Sequence, residues 1–150
     1  MFKALLRTDR KVSPLVLRLF VAVVFFPHGA QKVLGWFGGH GLQAAMTAFT
    51  VKMHIPFVFA LLAVAAEFLG PIGLFFGFLT RIAAFGIAFE MLVAILTVHL
   101  RFGFFMNWFG QKAGEGIEYH LLLVGACVAL MITGGGLCSV DGAITKKKTY

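Results

Sequence analysis

Charge of either sign is scarce in this chain. Aspartate and glutamate number 6 in 150 residues and charged residues make up 13%, about half of the roughly 25% of an ordinary soluble domain. So few charges cannot coat a water-facing surface around so apolar an interior. Cysteine is nearly absent too: Cys127 and Cys138 are the two, not spaced as CxxC, so neither a dithiol exchange site nor a structural disulfide is expected. There is no cofactor motif, nucleotide-binding loop or nucleophile constellation, and no metal-ligand spacing of a known signature. No low-complexity tract, fixed-period repeat or linker divides the chain, so a single domain over residues 1–150 is expected. No small-residue cleavage pattern follows the first apolar stretch, and no removable signal peptide is read there.

What is there is hydrophobic. Apolar residues form 60% of the chain, with 18 Phe and 18 Gly, and the mean hydropathy is +0.93. Small residues let helices approach closely in lipid while bulky ones meet acyl chains. With about 20 residues per crossing, the apolar runs predict spans at about residues 13–34, 55–79, 81–100 and 117–137. The expected fold is all-α: a polytopic four-helix membrane bundle. Pro14 suits the opening of the first span, and Pro71 is expected to kink the second. The glycine-rich turn of residues 35–41 breaks the first span. After it, Leu42, Ala45, Met46 and Phe49 recur at helical spacing, which predicts a short interfacial helix in the first outer loop.

The net charge is +7, but the basic residues gather at the span ends, which argues for juxtamembrane charge and against nucleic acid as a partner. Lys3, Arg7, Arg10, Lys11, Arg81 and Lys146 to Lys148 lie on one side. Lys52, Arg101 and Lys112 lie on the other, with Lys32 at the border. The bias places both termini in the cytoplasm, and Trp36 and Trp108 in an aromatic belt on the outer side.

Within the spans the ionisable groups are few and costly, roughly 2.5 to 3.5 kcal/mol or more each at mid-membrane. Arg18, Glu67 and Glu90 form the candidate polar core. Glu67 shares a face with Ala60, Ala63 and Gly70, and Glu90 with Ala83, Gly86, Ala94 and Thr97, so both carboxylates are expected to face the bundle. Depth along the helices suggests an Arg18–Glu90 pair, with His28 near Glu67. Two readings stand: a structural ion pair that holds the helices in register, or a proton relay or head-group site. The five histidines, His28, His40, His54, His99 and His120, all map to the outer half. They suit a metal, a haem with two imidazole ligands or a quinone head, or serve as plain interfacial anchors, the reading favoured for His54 and His99. On the fourth helix His120, Cys127, Met131 and Cys138 share a face. Seven residues of helix is about 10 Å, too far for neighbours to share one ion, so packing is favoured over copper.

Several motifs then stand in order: Arg18, His28-Gly29-Ala30-Gln31-Lys32, Gly35-Trp36-Phe37-Gly38-Gly39, Glu67-Phe68-Leu69-Gly70-Pro71, Gly77, Thr80-Arg81 and Gly134-Gly135-Gly136-Leu137-Cys138-Ser139-Val140-Asp141. In these the chain resembles the DoxX family of small four-helix bacterial inner-membrane proteins over almost its whole length. The resemblance implies association with membrane redox chemistry, including small subunits of thiosulfate:quinone oxidoreductases and partners of superoxide dismutase and sulfurtransferase. On that basis the expected function is an inner-membrane, quinone-linked oxidoreductase subunit. The alternatives are a noncatalytic scaffold or assembly factor for redox enzymes, or a small transporter of hydrophobic molecules. Arg18, Glu67 and Glu90 are then the candidate catalytic residues, and His28, Lys32 and His120 the candidates for cofactor binding. No metal site is expected, and a quinone is favoured over a haem. The expected partners are the lipid bilayer, a soluble or membrane redox protein, and a second copy of the chain.

Overall fold

A computed structural model describes residues 5–145; Lys3 and the Lys146 to Lys148 tail lie outside the described residues. The first helix, α1, runs Val12–Val33 and buries Arg18, Val21, Ala22, Phe25 and Gly29 along one stripe. Phe20, Val23 and Val24 stay exposed on the opposite side, as a helix with a lipid face requires. Pro14 falls in the first turn, where its missing N–H leaves no bond unmade. A glycine turn leads into α2, Gly41–Thr47, which widens into a π-helical turn at Ala48–Lys52.

Helix α3 spans Phe57–Phe76 and runs unbroken past Pro71. It stops at Gly77, which takes φ 63, a left-handed conformation open to glycine at no steric cost. Helix α4 follows at Thr80–Ala94 and continues through a π-helical turn, Ile95–His99, and a 3₁₀ turn, Leu100–Phe102. Together these form an apolar helical stretch of 23 residues. After a loop, α5 covers Glu118–Thr133 and ends at Gly134, which takes φ 75, short of the residue 137 expected from hydropathy. A last short helix, α6, is Val140–Thr145.

The protein is therefore all-helical among its described residues. Three helices, at Val12–Val33, Phe57–Phe76 and Thr80–Phe102, are long and apolar enough to cross a membrane, and α5 is a shorter apolar fourth. Helix α1 packs on α3, α3 on α4, α4 on α5, and α5 returns to α1 by the sparsest of these contacts. Phe25, Leu74, Ile87, Cys127 and Leu130 meet in the core, while Phe20, Leu96, Leu122 and Ile132 are each about 70% exposed. So many bare apolar side chains around helices with a closed interior mark a membrane protein. One end of the helices carries the segments 5–11, 77–81 and 134–145 (the tail end); the other carries residues 34–56 and 103–117 (the loop end).

Candidate functional site

The polar residues inside the helices separate into two groups. At the tail end, Arg18 is 1% exposed and spends its whole guanidinium on main-chain carbonyls. Its Nε donates to Gly135 at 2.8 Å, and Nη1 donates to Leu74 at 2.8 Å and to Phe75. Nη2 donates to Cys138 at 2.8 Å and to Leu137 at 3.3 Å. The expected pair with Glu90 does not form. The physical reason is that Gly77 ends α3 and orphans its last carbonyls, and the 134–138 turn brings further carbonyls to the same place. A planar fork with five N–H groups satisfies both sets at once. A side chain at Gly77 would crowd this fork, since its Cβ would stand 3.1 Å from Arg18 Cζ.

Asp141 completes this end. It is 1% exposed, and its carboxylate accepts the main-chain N–H groups of Leu79 at 2.8 Å and Thr80 at 2.9 Å, which caps the start of α4 from a distant segment. Arg81 does the converse for α5, donating to the carbonyls of Met131 at 2.7 Å and Ile132 at 3.0 Å and to Arg7 at 3.0 Å. The structure thus gives Arg18, Arg81 and Asp141 helix-end carbonyls and amides as partners. Sequence reasoning counted Arg81 only toward the charge bias that sets orientation and gave Asp141 no role; the signal available was an acid and a base close to the ends of apolar helices.

The second group lies between mid-helix and the loop end. Lys32 of α1 hydrogen-bonds Oε1 of Glu67 on α3 and forms an ion pair through Oε2. Glu67 is 4% exposed. Glu90 of α4 faces the same pair, with Glu67 and Lys32 as its electrostatic neighbours. Local backbone chemistry explains why these residues meet. Pro71 has no N–H for the carbonyl four residues earlier, which is that of Glu67. The Glu67 carbonyl instead lies so close to Gly29 that a Cβ there would overlap it. This close approach brings α1 against α3 one helical turn from Lys32. The Lys32 ammonium also lies 5.8 Å from the centre of the Phe49 ring, which the π-helical turn after α2 supplies.

Histidines border the same cluster. His28 is exposed on α1 and has Glu67 and Lys32 as electrostatic neighbours. On α5, His120 is 7% exposed, and its ring lies 4.0 Å, centre to centre, from that of His99. Near it, Tyr119 packs edge-on against His120 at 5.7 Å. Four atoms here stand out: Glu90 Oε2, Tyr119 Oη and His120 Nδ1 are buried without a hydrogen-bond partner, and Glu67 Oε2 has only the Lys32 ion pair. Of the residues expected at a site, the structure brings Glu67, Glu90, Lys32 and His28 together, sets His120 beside them, and places Arg18 elsewhere. Among the described residues no three His, Cys, Asp or Glu side chains converge as a metal site.

A family model described as DoxX matches residues 13–100. The chain belongs to the DoxX family. Its matched stretch holds Arg18, His28, Lys32, Glu67 and Glu90, so most of both polar groups lies within the family region. Similar proteins extend beyond it. CatD of Bacillus subtilis (strain 168), a protein provisionally named an oxidoreductase, is 28% identical over 138 residues, covering 92% of this chain and 91% of CatD. The inner membrane protein YqjF of Escherichia coli (strain K12) is 31% identical over 142 residues, covering 91% and 95%. An uncharacterized protein of Haemophilus influenzae is 30% identical over 149 residues, covering 93% and 86%. No solved structure matches this DoxX chain.

Proposed function

We propose that this DoxX chain is a four-span inner-membrane protein, both termini cytoplasmic, that binds the head group of a quinone-like molecule at the Lys32–Glu67–Glu90 cluster and serves a membrane redox system. One observation carries the reading: a polar cluster in an apolar interior has a carboxyl oxygen, and an imidazole nitrogen beside it, without partners. Buried polar atoms are nearly always satisfied, and ionisable groups at membrane depth are costly, so unpartnered ones point to a ligand or a proton. The redox part rests on family membership and on the name of CatD, and the location on the name of YqjF. The orientation is supported by Arg7, Arg10, Lys11 and Arg81 at the tail end.

The donor set fits a quinone. A quinone head has two carbonyl oxygens that accept hydrogen bonds, and its reduced form has two hydroxyls that donate them. Lys32 and His28 can donate to the carbonyls; Glu67, Glu90 and the free Nδ1 of His120 can accept from the hydroxyls. Bound there, a quinone would supply two-electron, two-proton chemistry, with electrons drawn from a partner redox protein. Of the helix pairs that pack side by side around the four, α1 and α5 touch least, and His28 stands exposed on α1, so a molecule dissolved in the bilayer would reach the cluster by that seam. Arg18 acts in this reading as a positioning residue that holds the tail end together.

The test is a titration of the detergent-purified protein with a short-chain ubiquinone, read by quenching of Trp36 and Trp108. Saturable quenching that is lost in Glu67→Gln, with the variant still monodisperse, is the expected result. Quenching that never saturates, or that is equal in wild type and Glu67→Gln, would overturn the assignment.

A further inference from the structure

We propose that protons reach the buried Glu67–Glu90 pair from the loop end of the protein, through a two-imidazole relay made by His99 and His120. The inference rests on the membrane reading above and does not require that the ligand be a quinone. Charge balance is the starting point. One ammonium, Lys32, faces two carboxyl groups, so the cluster is neutral only with one proton shared among them or a ligand that brings positive charge. Burial of an unbalanced charge is costly enough that the proton must come and go with whatever the cluster binds.

The geometry of the loop end offers a route. His99 lies at the border of the loop, half-buried, with Nδ1 at 2.9 Å from the Glu115 carbonyl. Its ring stands against that of His120 at 4.0 Å. The two meet because α4 ends in a π-helical turn, Ile95–His99, whose extra residue per turn changes the direction in which His99 projects; such turns recur at functional sites. His120 is 7% exposed with Nδ1 unpartnered. An imidazole carries a proton on either nitrogen and exchanges it readily, so a free nitrogen deep in the protein is suited to passing one on. His120 has His28 of α1 as an electrostatic neighbour, and His28 in turn has Glu67 and Lys32.

The other charged groups around the relay are occupied. On the loop, Glu115 accepts the main-chain N–H of Asn107 at 2.7 Å. Glu118, at the start of α5, accepts that of Met106 at 3.2 Å. Both carboxylates therefore hold the loop in place over the histidines. Tyr119 of α5 flanks His120, α3 contributes Glu67, and α4 contributes Glu90. The tail end is closed to protons by contrast. Phe25, Leu74, Ile87 and Leu130 are essentially inaccessible there, and the fixed positive charge of Arg18 stands beyond them and repels a proton.

The test uses the full chain in sealed proteoliposomes of known orientation, with pH set separately on each side. The probe is a lipid-soluble carbodiimide, which adds to a protonated carboxyl group and leaves an acylurea; mass spectrometry of Glu67 and Glu90 gives the labelling rate. The expected result is labelling that slows several-fold as loop-side pH rises and ignores tail-side pH. In His120→Phe and in the half-exposed His99→Phe it responds to loop-side pH at least tenfold more slowly, while His54→Phe behaves as wild type. Labelling that follows tail-side pH would overturn the inference. So would wild-type kinetics in both folded histidine variants, or no labelling at any pH. Quinone titration of His99→Phe, whose ring lies outside the quinone's donor and acceptor set, keeps the two proposals distinct: wild-type labelling kinetics with intact quinone binding sink the relay and leave the ligand reading standing.

Discussion

Replacing Arg18 by lysine keeps the charge and removes the fork, and its consequence can be worked from the contacts. The guanidinium donates to five carbonyls, those of Leu74, Phe75, Gly135, Leu137 and Cys138. An ammonium has three N–H groups on one nitrogen and cannot reach the end of α3 and both sides of the 134–138 turn together. At least two carbonyls then lose their partner in a buried setting. At about 1–3 kcal/mol for each, reduced where the turn relaxes, the loss is about 2–4 kcal/mol, or roughly 30- to 1000-fold in the folding equilibrium at 1.4 kcal/mol per tenfold. The assay is unfolding in mixed micelles with increasing dodecyl sulfate, followed by tryptophan fluorescence. The folded fraction of Arg18→Lys should keep wild-type affinity for short-chain ubiquinone, because Arg18 lies outside the Glu67 cluster. A stability within about 0.5 kcal/mol of wild type, or a selective loss of quinone binding at full stability, would refute the reasoning.

Lys32→Met should cost more than removing the pair. It leaves Glu67 charged and unpaired, worth about 3–5 kcal/mol, and Lys32→Met combined with Glu67→Gln should recover most of the folded yield in a membrane-fraction assay. Gly29→Ala places a methyl group against the Glu67 carbonyl, with an expected destabilisation of about 1–3 kcal/mol in the same micelle titration; unchanged stability would mean that α1 and α3 are not in such close contact. Asp141→Ala removes the cap from α4 and should cost about 1–2 kcal/mol, seen as earlier thermal loss of the monodisperse peak, with Asp141→Asn intermediate because one acceptor oxygen remains.

The apolar helices were legible because hydropathy over about 20 residues is a local property that the bilayer reads directly. Helices appear at Val12–Val33 and Phe57–Phe76 where spans at 13–34 and 55–79 were expected, and the helix of the first loop appears at Gly41–Lys52. The inward faces of Glu67 and Glu90 were legible too, as the buried carboxyl oxygens of both show, since periodicity on one helix needs no knowledge of its neighbours. The partners were not. Lys32 stood in the sequence as a border residue and proves to be the counter-ion of Glu67. His99 stood as an interfacial anchor and proves to touch His120, because a π-helical turn shifts its projection in a way no simple 3.6-residue count contains.

Composition and periodicity by themselves determined the solvent of this protein, its helical class and which residues would be expensive to bury, since each depends on side-chain chemistry and spacing along one segment. Only the tertiary structure decided how those residues are matched. Arg18 found the carbonyls freed by Gly77 and the 134–138 turn, and Glu67 found Lys32 through the close approach at Gly29. These choices depend on where separate helices end and how near their backbones come, and such distances arise only when the helices pack together.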